Sequence, residues 1–128
     1  MLIVEDDPDA RELLKRYVSD DHAGILRVAN DGASALAMLE HHLPDLVVLD
    51  LKMPYVDGFA FLESIRSDPR LVGLPVIVVT AVQLSPEQRQ LLAACTIAVL
   101  EKGATLEADL ARVLKHAPRT LAPVLLEV

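Results

Sequence analysis

Residues 46–58 read LVVLDLKMPYVDG, and this stretch decides the fold. The aliphatic run Leu46 to Leu49 leads straight into Asp50, and the chain then turns through Met53-Pro54 and Asp57-Gly58. A short run that is apolar at every position suits a strand covered on both faces, as in a parallel sheet. Its terminal Asp50 then lies at the carboxyl edge of that sheet. Outward from this stretch the pattern recurs in Leu2-Ile3-Val4, Ile25 to Val28, Val76 to Val79 and Ile97 to Leu100. Arg27 within the run Ile25 to Val28 assigns that strand to an edge.

Between these runs lie helices with legible starts. Asp7-Pro8 reads as N-cap and first helical residue, followed by a stripe of Ala10, Leu13, Leu14, Tyr17 and Val18. Asp31-Gly32 opens a second helix that runs through Leu36 and Leu39 to about His42. Asp57-Gly58 opens a third, with Phe61, Leu62 and Ile65 facing inward and Asp68-Pro69 ending it. Ser85-Pro86-Glu87-Gln88 is a capping box with proline at the first helical position. Thr105 is expected to cap a fifth helix with the stripe Leu106, Leu110, Val113 and Leu114. Strict strand-helix alternation implies an α/β fold: a parallel sheet with right-handed crossovers. Residues 1–117 read as one domain and 118–128, with Pro118 and Pro123, as a tail or linker stub.

Composition narrows the function classes. The 128 residues suffice for one core, and with 3% aromatics and no Trp that core is aliphatic. A formal net charge of −7 argues against a nucleic-acid face and suits protein or cation partners. The single Cys95 cannot form an internal disulfide, which fits a reducing cytosol. No apolar run reaches the ~18 residues of a membrane span.

Ligands of such sheets bind beyond the carboxyl ends of the strands. Those ends carry Glu5-Asp6-Asp7, Asp50, Thr80-Ala81 and Lys102. At ~4 Å and an effective dielectric of 20, each carboxylate pair repels by about 4 kcal/mol, and a hard divalent cation removes that cost. Mg²⁺ prefers one or two carboxylates plus phosphate oxygens and water. With it, Asp50 can attack a phosphoryl donor while Lys102 and the Thr80 hydroxyl hold the other oxygens. Taken singly, each residue has a plainer role: a cap, a turn residue, a solvated lysine. For Asp7 the cap is the preferred reading. Their convergence on one sheet edge favours the functional one.

LIVEDDPDARELL, LVVLDLKMPYVDG, VIVVTA and the lysine of VLEKG together resemble the response-regulator receiver family over about residues 1–116. The resemblance implies a flavodoxin-like, doubly wound sheet of five strands in the order 2-1-3-4-5 with five helices. It implies Mg²⁺ as cofactor, a sensor histidine kinase or histidine phosphotransfer protein as phosphoryl donor, and a cytoplasmic, non-enzymatic signalling role. Asp50 looks like the phosphoacceptor, Asp6 the direct metal ligand and Glu5 the second acidic position. The backbone carbonyl of Lys52 looks like a third ligand, Thr80 the switch hydroxyl and Lys102 the phosphoryl-binding lysine. The surface of the fourth helix, fifth strand and fifth helix would contact a downstream protein.

Three positions depart from the family pattern. Glu5 stands where Asp is more usual, Val99 where many members carry Tyr or Phe, and Gly103 where a cis proline usually follows the lysine. A non-proline cis bond costs roughly 2.5–4 kcal/mol, so a trans bond and an altered loop are expected. Lys52 and Val82 are candidates for setting the lifetime of the phosphoryl group, and Tyr55 for a kinase contact. His41, His42 and His116 read as helix-end cations, His22 has no evident partner, and Cys95 reads as a small buried apolar residue.

Rival readings fall short at named residues. An aspartate-nucleophile phosphohydrolase needs a second Asp where Lys52 stands, and a flavin or nucleotide site needs glycines where the first loop is acidic. A degenerate receiver used only for protein contacts is kept open by Val99 and Gly103. The start inside the first strand and the apolar tail Leu121 to Val128 lean towards a piece of a longer regulator or hybrid kinase. A stand-alone receiver is the other case. The tail would then pack on the domain or on a second copy, because Val124, Leu125 and Leu126 are ill suited to water.

Overall fold

A computed structural model of the protein describes residues 1–19, 26–51, 58–81 and 83–116. Five strands alternate with five helices. The strands are β1 (Leu2–Val4), β2 (Arg27–Ala29), β3 (Val47–Leu49), β4 (Val76–Thr80) and β5 (Ala98–Glu101). The helices are α1 (Pro8–Ser19), α2 (Gly32–Leu39), α3 (Gly58–Arg66), α4 (Pro86–Cys95) and α5 (Leu106–His116). The sheet is parallel in the order β2-β1-β3-β4-β5, as the sequence resemblance implies.

Alternation along each central strand divides the core into two layers. Leu2, Val4, Val47, Leu49, Val76 and Val78 meet α2, α3 and α4, with Phe61, Ile65 and Leu92 fully buried there. Ile3, Val48, Ile77 and Val79 meet α1 and α5 through Leu14, Val18, Leu106, Leu110 and Leu114. Strand β3 is buried at every position. In β2, Arg27 and Val28 are half-buried, which fits the edge expected from Arg27.

Three helix starts follow the sequence closely, whereas before α5 the Thr105 hydroxyl donates to Asp109 Oδ2 at 2.9 Å instead of capping a backbone N–H. Asp7 Oδ1 accepts the Asp9 N–H at 3.1 Å, so Asp7 is a cap. Asp31 accepts the Ser34 N–H at 2.7 Å, and Ser85 and Gln88 form both halves of the capping box. Their ends are less regular. Helix α2 stops at Leu39, short of His42, because Glu40 and His41 turn tightly onto Ala37 and Met38. Arg70 Nη1 then donates to the Leu39 carbonyl at 3.2 Å, so the cation at this helix end is Arg70, while His41 and His42 are exposed. Cys95 corrects the expectation of burial. It is half-buried as the last residue of α4, and its carbonyl accepts the Arg66 guanidinium, which also binds the Val72 and Leu74 carbonyls at 3.1 Å.

Gly58 has a role beyond turn chemistry. A Cβ there would lie 2.4 Å from Leu51 Cα and 2.8 Å from the Asp50 carbonyl oxygen, and both are backbone atoms that cannot swing aside. The Gly58 N–H also donates to the Leu51 carbonyl at 2.9 Å, so α3 is clamped onto the segment that carries Asp50. Gly58→Ala is expected to destabilise the protein by about 3 kcal/mol in urea melts. Gly103→Ala, where an added Cβ meets nothing within 4 Å, is expected to be neutral or slightly stabilising. Equal midpoints for the two variants would contradict the clamp.

Lys52, Met53-Pro54, Tyr55, Asp57, Val82, His22, Ile25 and the tail 118–128 lie outside the described residues. Among those described, no helix is long and apolar enough to cross a membrane.

Candidate phosphoryl and metal site

The register of the sheet assembles the site. Val4 pairs with Leu49, so the next residues, Glu5 and Asp50, continue side by side. Their backbones are locked by Glu5 N–H to the Ala29 carbonyl at 3.1 Å and Asp50 N–H to the Val4 carbonyl at 3.0 Å. Thr80 pairs with Glu101, and the Lys102 N–H donates to the Thr80 carbonyl at 3.0 Å. Ligand oxygens of Glu5, Asp6 and Asp50 thereby come within 4.8 Å of one another. Glu5, Asp50 and Thr80 are buried, Asp6 is half-buried at the mouth, and Ala81 beside Thr80 is exposed.

Lys102 reaches this cluster from three strands away. Its Nζ donates to Glu5 Oε1 at 2.7 Å and lies 3.5 Å from Asp50 Oδ2. Glu5 Oε2 accepts the Asp7 N–H at 3.3 Å, so both oxygens of Glu5 are engaged. The extra methylene of Glu5 over Asp thus lets one carboxylate join the first loop to the lysine after β5.

Burial pushes the Glu5 carboxyl up to about 7 from its ordinary 4.5; the Lys102 hydrogen bond pulls it back, and the Asp50 charge adds to the rise. Burial alone would lower Lys102. The Glu5 hydrogen bond and the charges of Asp50 and Glu5 outweigh it and hold the ammonium above its ordinary 10.5. Glu5 therefore titrates near neutrality while Lys102 stays charged.

Three converging carboxylates, one of them open to solvent, form a hard oxygen donor set of the kind a magnesium-sized cation takes. Five expected site residues are thus described: Glu5, Asp6 and Asp50 with ligand oxygens within 4.8 Å of one another, Lys102 bridging Glu5 and Asp50, and Thr80 buried at the end of β4. Lys52 lies outside the described residues. Sequence reasoning missed Arg11, whose Nη1 donates to the backbone carbonyls of Glu5 at 3.2 Å and Asp6 at 3.0 Å. The available signal was an arginine one turn into a helix whose side chains lean back towards the acidic loop.

The other surface of interest lies between α4 and β5. Val99 is half-buried against the core there, beside a cavity of about 310 Å³ that Arg89, Ala93 and Ile97 also line. Arg89 also pairs with Glu101 at 3.7 Å. After Lys102, the Gly103 carbonyl accepts the Leu106 N–H at 3.2 Å, turning the chain into α5.

Comparisons with known proteins show the family and the fold. A family model described as the response regulator receiver domain matches residues 1–114. The response regulator Rre1 of Synechocystis sp. is 40% identical over 81 residues, covering 63% of this chain, which spans 35% of that protein's length. The receiver domain of a signal transduction histidine kinase from Syntrophus aciditrophicus superposes with a TM-score of 0.77 at 29% identity, covering 89% of this chain and 85% of that one. The receiver domain of the sensor histidine kinase PA1611 from Pseudomonas aeruginosa superposes at 0.76 with 25% identity, covering 89% and 92%. The PA1611 domain holds a magnesium ion in its active-site cleft.

Proposed function

The chain belongs to the response regulator receiver family, whose members are phosphoacceptor signalling domains, and we propose that it accepts a phosphoryl group on Asp50. The supporting observation is one ammonium, Lys102, shared between buried Glu5 at 2.7 Å and buried Asp50 at 3.5 Å. A phosphohistidine on a sensor histidine kinase or a histidine phosphotransfer protein is the donor. An Asp50 oxygen attacks phosphorus in line with the breaking P–N bond, and the imidazole leaves as it takes up a proton. Lys102 holds positive charge beside the oxygens where negative charge gathers. The Thr80 hydroxyl takes a further phosphoryl oxygen.

Glu5, Asp6 and Asp50, with the Lys52 backbone carbonyl, would hold Mg²⁺. When bound, Mg²⁺ supplies charge neutralisation on the transferring group. The product carries about −1.5 to −2 charges, which draws Lys102 away from Glu5. That change shifts the equilibrium between two arrangements of the loops after β4 and β5. The face of α4, β5 and α5 then alters its affinity for a downstream protein. The setting of this exchange is cytoplasmic, and the domain itself is no enzyme beyond assisting its own phosphorylation and dephosphorylation.

Incubation with Mg²⁺ and acetyl phosphate, read by intact mass, should give an adduct of one phosphoryl group that fragmentation locates at Asp50. A chelator should abolish it. A second reading, a receiver that works by protein contact alone, draws on Val99, which has no ring to relay the change. Wild type left unmodified by both acetyl phosphate and its kinase would favour that reading and defeat the first.

A further inference from the structure

We propose that Arg11 is the positioning residue of the acidic pair, fixing the loop that aims Glu5 and Asp6 at a divalent cation. The inference rests on the cation reading of the site and concerns how the loop is held. Glu5 and Asp6 lie between the end of β1 and the start of α1; the Glu5 N–H still donates to the Ala29 carbonyl at 3.1 Å, while the carbonyls of both residues face Arg11. Their side chains converge with Asp50, so the direction of each Cα–Cβ bond depends on how the peptide planes are held. Arg11 Nη1 grips both planes from the carbonyl side, at 3.2 Å and 3.0 Å. The Asp7 N–H grips the loop from the other side through Glu5 Oε2, at 3.3 Å. Charge-assisted bonds of this type are about twice as strong as neutral ones, and one guanidinium that serves two successive carbonyls leaves the loop little freedom. Groups that orient metal ligands through a second layer typically change affinity by 10–100-fold when removed.

Arg11 also brings a positive charge to a cation site, and that charge alone repels the incoming ion. Positioning and charge therefore predict opposite signs for the same variant. Arg11→Met should weaken Mn²⁺ binding, measured by titration with electron paramagnetic detection of free Mn²⁺, by about ten-fold. If Arg11 acted only through its charge, binding would tighten. Lys15→Met removes the same charge from the same helix, at a side chain paired with Glu12, and should leave affinity unchanged. Arg11→Lys keeps the charge but offers a compact ammonium in place of the planar fork, so it should fall between wild type and Arg11→Met.

Melting in the absence of metal checks that each variant folds. Should Arg11→Met fail that check, Arg11→Lys decides: weaker binding at equal charge supports the proposal, and equal binding overturns it. Wild type that binds Mn²⁺ while Arg11→Met binds as tightly or more tightly overturns the positioning role alone. Wild type that binds no divalent cation overturns the cation reading and the positioning role with it.

Discussion

Asp50→Asn is expected to take no phosphoryl group from acetyl phosphate and yet to melt higher than wild type without divalent cations. The chemistry is lost because the amide oxygen is a poor nucleophile and the nitrogen a worse one, whatever else the site retains. The stability gain has a separate origin. Carboxylate oxygens of Asp50, Glu5 and Asp6 lie within 4.8 Å of one another, where two unit charges repel by about 3 kcal/mol at an effective dielectric of 20. Lys102 offsets much of that and loses one partner in the variant. The net gain should be about 1 kcal/mol at pH 7.5, or ~4 °C in Tm. Glu5 should then titrate below its wild-type value of about 7, since the Asp50 charge contributes to the rise. Calorimetry with and without Mg²⁺ checks both parts. A residual adduct in Asp50→Asn would move the acceptor elsewhere, and an unchanged Tm would mean the cluster is already neutralised.

Removing the lysine should act in the opposite direction. Lys102→Met keeps the length of the stem but leaves Glu5 and Asp50, exposed by 1% and 5%, without the ammonium between them. Breaking a buried pair from one side typically costs 3–5 kcal/mol; Lys102 is a quarter exposed, so about 3 kcal/mol is expected at pH 8.

That cost should depend on pH in a defined direction. The folded-state pKa of Glu5 is raised, so the folded protein binds the extra proton between 4.5 and about 7. The associated stability is full below 4.5 and is lost as pH rises through about 7, a wild-type decline of at most ~3 kcal/mol. Lys102 has a raised pKa as well, but its contribution is lost only above its ordinary 10.5 and stays constant across this window. In Lys102→Met the pull on Glu5 is gone, its pKa rises further, and the decline extends to higher pH. The deficit against wild type should therefore shrink to about 1 kcal/mol at pH 5, where protonated Glu5 can donate to Asp50. Millimolar Mg²⁺ should restore part of the loss at pH 8. A deficit equal at pH 5 and pH 8 would mean that Lys102 acts by packing alone.

These expectations rest on contacts of unequal visibility in the sequence. Val47, Val48 and Leu49 declare a central strand because residues apolar at every position can only be buried on both faces. Asp7, Asp31 and Ser85 declare helix starts because a short polar side chain satisfies donors two or three residues away. Both signals are local. Asp50 and Thr80 inherit their place at the site from the strands they end, and the family motifs add their expected roles. The less legible residues act at a distance or through the backbone. Cys95 looks like a core residue by type, but the end of α4 leaves it half-buried, and Arg66 takes its carbonyl.

Local signals along the chain set the alternation of strands and helices and which carboxylates end at one sheet edge, and the family likeness carried the strand order. Three-dimensional packing decided that Lys102 binds Glu5 more closely than Asp50, a contact across 97 positions of chain. It alone decided that Gly58 is needed for a backbone approach and that Arg11 holds the acidic loop. The physical reason is range. Periodicity and capping are settled within one turn or one strand, whereas the partner of a long charged side chain depends on register, sheet twist and burial set by the whole packed core.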